Sequence, residues 1–85
     1  MGKYRIEIKR SATKEIAKFS KDDVRVIMEK IAALADNPRP ADCIKLSGAE
    51  KYRIRYGRYR ILYLIEDAVL YVFIVKVAHR KDAYR

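Results

Sequence analysis

The segment YRIRYGRYRILYL, residues 52–64, decides how the rest of the chain is read. Apolar and aromatic residues alternate there with arginines, the period of a strand with one buried face. Four of its thirteen residues are cations and none is an anion. Gly57-Arg58 suits a two-residue hairpin turn with glycine at the first central position, where a positive φ is required. About that turn Tyr56 faces Tyr59, Arg55 faces Arg60, Ile54 faces Ile61 and Arg53 faces Leu62, and directly opposed residues share a face. One face therefore carries Tyr52, Ile54, Tyr56, Tyr59, Ile61 and Tyr63. The other carries Arg53, Arg55 and Arg60, giving way to Leu62 and Leu64. A like-charge pair such as Arg55 and Arg60 weakens a sheet by roughly a few tenths of a kcal/mol unless an anion lies between the two. Local structure is thus compromised where the charge is densest, which marks the arginine face as a phosphate-binding surface. For Arg58, at the turn, a solvated charge guarding an exposed edge explains the residue equally well.

Outward from the hairpin, residues 59–66 and 69–78 read as the next strands, joined by a turn at Glu66-Asp67-Ala68. The last of them, VLYVFIVKV, is apolar on both faces through most of its length, which predicts a strand in the sheet interior with neighbours on both sides. Near the N-terminus Tyr4, Ile6 and Ile8 alternate with Arg5 and Glu7, a half-buried first strand. Ser11 can cap a short helix with Ala12, Ile16 and Phe19 along one stripe. Ser20 and Asp23 then resemble a capping box, and Val24, Ile27, Met28, Ile31, Leu34 and Ala35 form the stripe of a second helix. It should stop near Asn37, because Pro38 disfavours helical geometry in the residue before it. Residues 38–50 read as a loop with a brief extended piece at 44–46. The predicted architecture is α/β: strand, helix, helix, then three strands joined by hairpins, with both helices on one sheet face and the other face free to work.

A chain of 85 residues cannot divide its apolar residues between two cores, so residues 1–85 form one domain. A partner that covers more of so small a surface would add stability. Of the net charge of +9, residues 45–60 supply +5: Lys45, Lys51, Arg53, Arg55, Arg58 and Arg60 stand against Glu50 alone. Charge concentrated in this way favours a polyanionic partner, either nucleic acid or an acidic protein surface. Cys43 is the one cysteine, which excludes an internal disulfide and gives no sign of an oxidising compartment. The N-terminus lacks the apolar core of a signal peptide, and the longest uncharged run, AVLYVFIV at 68–75, is too short to span a bilayer. A soluble, cytoplasmic protein without membrane contact is the expectation. One histidine, one cysteine and scattered carboxylates offer no cluster with metal-ligand spacing, and neither a glycine-rich phosphate loop nor a Ser/His/Asp pattern is present, so no cofactor is expected. The chain closes on VAHRKDAYR, which brings His79, Arg80, Lys81 and Tyr84 together: a group that can move a proton, two phosphate ligands, and an aromatic able to stack on a base.

Taken with the element order, the segment Lys45-Leu46-Ser47-Gly48, the hairpin and the closing HRKDAY, the sequence resembles the RelE/ParE superfamily of toxins from prokaryotic toxin–antitoxin pairs. The resemblance covers nearly the whole chain. It implies a RelE-like fold of microbial ribonuclease type and, in RelE-like members, ribosome-dependent cleavage of messenger RNA in the A site without a metal, by attack of a 2′-hydroxyl on the adjacent phosphate. It also implies a cognate RelB-like antitoxin as partner. Carried over by motif, Arg53 and Arg55 stand where one branch has lysines, Arg60 matches the arginine of the G-x-R segment, Arg80 the arginine after the last strand, and Tyr84 the stacking tyrosine. Arg60 and Arg80 are then the transition-state stabilisers and Tyr84 the base platform. Lys45, Lys51, Arg53, Arg55, Arg58 and Lys81 are the RNA ligands. Arginine stays protonated, so the proton of the attacking hydroxyl falls to His79, Lys51 or Tyr84, with His79 needing the least perturbation. A ParE-like poison of DNA gyrase without nuclease activity, or a non-catalytic RNA-binding module, are the alternatives on the same fold.

Overall fold

The computed structural model describes residues 3–46 and 51–79. In chain order these form β1 (Arg5–Ile8), α1 (Arg10–Ile16), α2 (Lys21–Ala33), β2 (Ile44–Lys45), β3 (Lys51–Tyr56), β4 (Tyr59–Glu66) and β5 (Tyr71–His79). The five strands make one sheet in the order β1-β5-β4-β3-β2. β1 runs parallel to β5, and the other neighbours are antiparallel. β5 is therefore interior, as its apolar run predicts.

The hairpin has the register expected from its turn: Arg55 opposes Arg60, Tyr56 opposes Tyr59, Ile54 opposes Ile61 and Arg53 opposes Leu62. Gly57 sits at φ +55, the left-handed conformation that a side chain resists. Both helices lie on the face of Tyr52, Ile54, Ile61 and Tyr63. The core there joins Ala12 and Ile16 of α1, Ile27 and Ile31 of α2 and Leu34 to those strand residues and to Ile65, Val72, Ile74 and Val77. Ile27, Ile61, Val72, Ile74 and Val77 are wholly inaccessible to solvent. No helix among the described residues is long and apolar enough to cross a membrane.

The end of α2's approach matches its sequence signal: Ser20 Oγ accepts from the Asp23 N–H at 3.3 Å, and Asp22 and Asp23 occupy the first turn. Four local expectations are corrected. Ser11 does not cap α1. The Lys9 N–H still donates to the Ile74 carbonyl of β5, while its carbonyl already accepts from Thr13, so the helix begins at Arg10 and Ser11 lies inside its first turn. Phe19 falls beyond α1, which ends at Ile16, yet still packs on the core. α2 ends at Ala33, with the Asp36 and Asn37 N–H groups donating back to the Ala33 carbonyl in turns that carry the chain to Pro38. The β4–β5 connection is longer than a tight turn: Asp67–Val69 form a 3₁₀ turn and Leu70 takes φ +51, so β5 starts at Tyr71 rather than 69.

Candidate functional site

The face of the sheet away from the helices carries the arginines. Arg53 and Arg55 project from β3 and Arg60 from β4, with Arg55 and Arg60 directly opposed. Directly opposed side chains begin about 5 Å apart at their Cβ atoms. Arg55 is exposed; Arg53 and Arg60 are half-buried. Lys51, the register partner of Leu64, lies on the same face further along β3, and Arg58 is exposed at the turn. Beyond the arginines the face turns apolar: Leu62, Leu64, Tyr71 and Phe73 are each half-buried, the last two stacked with ring centroids 6.1 Å apart. A cationic end thus grades into an apolar end on one open surface.

Two candidate residues fall on the other side. Lys45 is the partner of Tyr52, whose side chain is in the core, so alternation assigns Lys45 to the helix face at the β2 edge. His79 is the partner of Tyr59 and shares its face, with the two rings edge-on at 5.2 Å. The cause lies four residues earlier. Leu62 pairs with Lys76 and Tyr63 with Ile74, which leaves Val75 as an extra residue in β5. Strict alternation from Val72 and Ile74 puts Val77 and His79 with the arginines; the bulge turns both to the helix side, and Val77 is accordingly buried. His79 is therefore not beside Arg55 and Arg60. Arg80, Lys81 and Tyr84 lie outside the described residues, as do Ser47 and Gly48 of the Lys45–Gly48 segment.

Polar contacts that periodicity does not announce hold this framework. Arg39, between two prolines, makes a two-pronged ion pair with Asp67 at 3.1 and 2.8 Å, donates to the Tyr52 hydroxyl at 3.0 Å, and lies over the Tyr52 ring. The Tyr4 hydroxyl completes the group by donating to Asp67 at 2.7 Å. Asp67, with the Arg39 guanidinium and the Tyr4 hydroxyl against it, has its carboxyl held down to about 2. The Tyr63 hydroxyl donates to the Pro38 carbonyl at 2.8 Å, and burial raises the pKa of this tyrosine well above its usual value. The loop after α2 is thereby fastened to β3, β4 and the β4–β5 turn. At the opposite end of the sheet, Tyr59 donates to Asp23 Oδ2 at 2.7 Å; that bond, with burial, raises the pKa of its hydroxyl. Glu15 of α1 accepts the Val77 N–H at 3.1 Å and pairs with Lys76 at 2.8 Å, closing the part of the β5 edge that β1 leaves uncovered.

A mixed sheet with two helices on one face and a cationic, helix-free second face defines a class of small protein toxins. The chain's matches agree. The family model described as the ParE toxin of the type II toxin-antitoxin system, parDE, matches residues 6–84. A curated protein of Methanocaldococcus jannaschii, named RelE1 and described as a candidate toxin, is 28% identical, with 98% of this chain and 97% of that protein covered. The archaeal RelE–RelB complex from Pyrococcus horikoshii superposes with a TM-score of 0.84 at 30% identity, covering 92% of this chain and 96% of that one. The RelBE2 toxin–antitoxin complex of Mycobacterium tuberculosis gives 0.80 at 26% identity, covering 91% and 98%. The isolated E. coli RelE toxin gives 0.78 at 25% identity, covering 89% and 83%. This chain belongs to the RelE/ParE superfamily of type II toxins.

Proposed function

We propose that the toxin is an endoribonuclease that cuts messenger RNA on the ribosome, in the cytoplasm. The observation that carries this reading is the opposition of Arg55 and Arg60 on the open face, an arrangement that a sheet gains nothing from unless an anion sits between the two. Arg53 and Arg55 hold the substrate backbone, with Lys51, Arg58 and Lys81 as outlying ligands. The 2′-hydroxyl oxygen attacks the adjacent phosphorus, the bond to the 5′-oxygen breaks, and the products are a 2′,3′-cyclic phosphate and a 5′-hydroxyl. Arg60 and Arg80 stabilise the negative charge that grows on the phosphoryl oxygens, the kind of fixed electrostatic help that supplies the largest share of many rate enhancements. Tyr84 stacks on a base. Guanidinium groups do not accept protons, so the proton from the 2′-hydroxyl goes to Lys51 or Tyr84, and the leaving 5′-oxygen is protonated in turn.

The solved relatives bound to RelB support an acidic antitoxin as this chain's partner. Its own surface suits such a cover, since Ile44 is 49% exposed and Val69 69%. A second reading is kept because the matching family model is that of ParE: a gyrase poison with no nuclease activity. Inducing the protein in cells separates the two. Transcript ends that accumulate only while ribosomes translate support the nuclease; inhibited supercoiling with intact transcripts supports the gyrase reading and overturns the first.

A further inference from the structure

The end of β5 is held more firmly than its place in the sheet demands. β1 covers β5 only as far as Ile74, so the segment from Lys76 to His79 has one strand neighbour, β4. Three separate contacts replace the missing strand. Glu15 takes the Val77 N–H and Lys76 Nζ. The bulge at Val75 turns His79 toward the helices, where its half-buried ring stands edge-on to Tyr59. Tyr59 is itself fixed from two sides, by Phe19 at 4.5 Å between ring centroids and by the hydrogen bond to Asp23 in the first turn of α2. The charged and titratable groups around the imidazole are Glu15, Lys18 and Lys76, with which it lines a cleft of about 240 Å³ or less, and Tyr59 with its partner Asp23. None of the arginines of the open face is on this side of the sheet.

We propose that His79 is a positioning residue: its ring, seated against Tyr59, fixes the point at which the chain leaves the sheet, and so where the next residue, Arg80, and the rest of the tail are delivered. The inference rests on the nuclease reading above and reassigns His79 within it from proton transfer to placement. It explains why an imidazole occupies the face opposite the phosphate surface. Any flat ring that fills the same space will do the work.

The test compares His79→Phe, which keeps a ring and cannot titrate, with His79→Ala, which removes it. Cutting of ribosome-bound message is followed from about pH 6 to 8.5, a range that spans an ordinary imidazole titration, and amide exchange is measured over Val77–His79. Misplacing a charge-stabilising group by an ångström costs on the order of a hundredfold in rate, so His79→Ala should lose about tenfold to a hundredfold. His79→Phe should cut within about threefold of wild type with the same pH profile, and only His79→Ala should exchange faster, by roughly tenfold. A His79→Phe protein as inactive as His79→Ala, with wild-type exchange in both, overturns the proposal and returns the imidazole to the chemistry. Should the wild-type protein itself leave RNA intact, the nuclease reading fails and exchange alone decides: faster exchange in His79→Ala with His79→Phe unchanged upholds the anchor, and equal exchange in all three overturns it.

Discussion

At the scale of single residues, the molecule places side chains where their own neighbours would not choose them. Arg55 against Arg60 is the clearest case. Arg55→Thr, which removes the like charge and suits a strand, is expected to raise stability by a few tenths of a kcal/mol while weakening RNA binding. Urea denaturation measures the first and binding to single-stranded RNA the second; a destabilised variant would mean that the arginines support the fold. Leu70 is a second case, a non-glycine residue at φ +51 whose side chain is 45% exposed. Leu70→Gly should leave stability unchanged or raise it by up to about 1 kcal/mol, because relief of the left-handed strain outweighs a half-exposed contact. At this scale the sequence was legible for the hairpin, since a glycine at a tight turn fixes register and register fixes the face of every neighbour. It was not legible for His79, because one extra residue, Val75, reverses the face of everything after it, and nothing in an unbroken apolar run marks which residue is extra.

Among the elements, the fastenings are as informative as the strands. Arg39 and Asp67 are 28 residues apart and lie in two connections, so no periodicity could have paired them. Their bond ties the loop after α2 to the β4–β5 turn, and Tyr4 joins β1's approach to the same carboxylate. Folding holds Asp67 at about 2, below its ordinary value of 3.8, so the folded state favours the ionised form. The stabilisation is therefore complete above about pH 4 and is lost as the pH falls toward and through about 2. Asp67→Asn should flatten the acid limb of stability in a urea series from neutral pH to about pH 2, and an unchanged limb would show that the ion pair does not contribute. In the hairpin, no atom lies within 4 Å of where a Cβ on Gly57 would stand, so Gly57→Ala tests backbone conformation alone. A loss of about 1 kcal/mol is expected in thermal unfolding, with Gly57→Asn recovering part of it. The brief extended piece after Pro40 was legible as a strand; the start of α1 was not, because pairing with β5 holds the chain up to Lys9 and overrides the cap that Ser11 offers.

For the whole molecule, composition and patterning were sufficient to give the architecture, two helices on one face and a cationic second face, because the apolar stripes could be buried in one way only. What they could not give was the depth of the site: which cations share a surface depends on a bulge and an edge, both tertiary outcomes. With +9 net charge, RNA binding should weaken steeply with salt, and Arg55→Ala should reduce the slope of log affinity against log salt by about one. Catalysis on the arginine face is best tested by mapping cuts in a defined message held on ribosomes, using the wild-type protein and Arg60→Ala side by side. Arg60 is half-buried on the open face and absent from the core, so its loss should leave thermal unfolding unchanged while cutting falls by at least about a hundredfold. A folded Arg60→Ala protein that cuts at the wild-type rate would place the chemistry elsewhere.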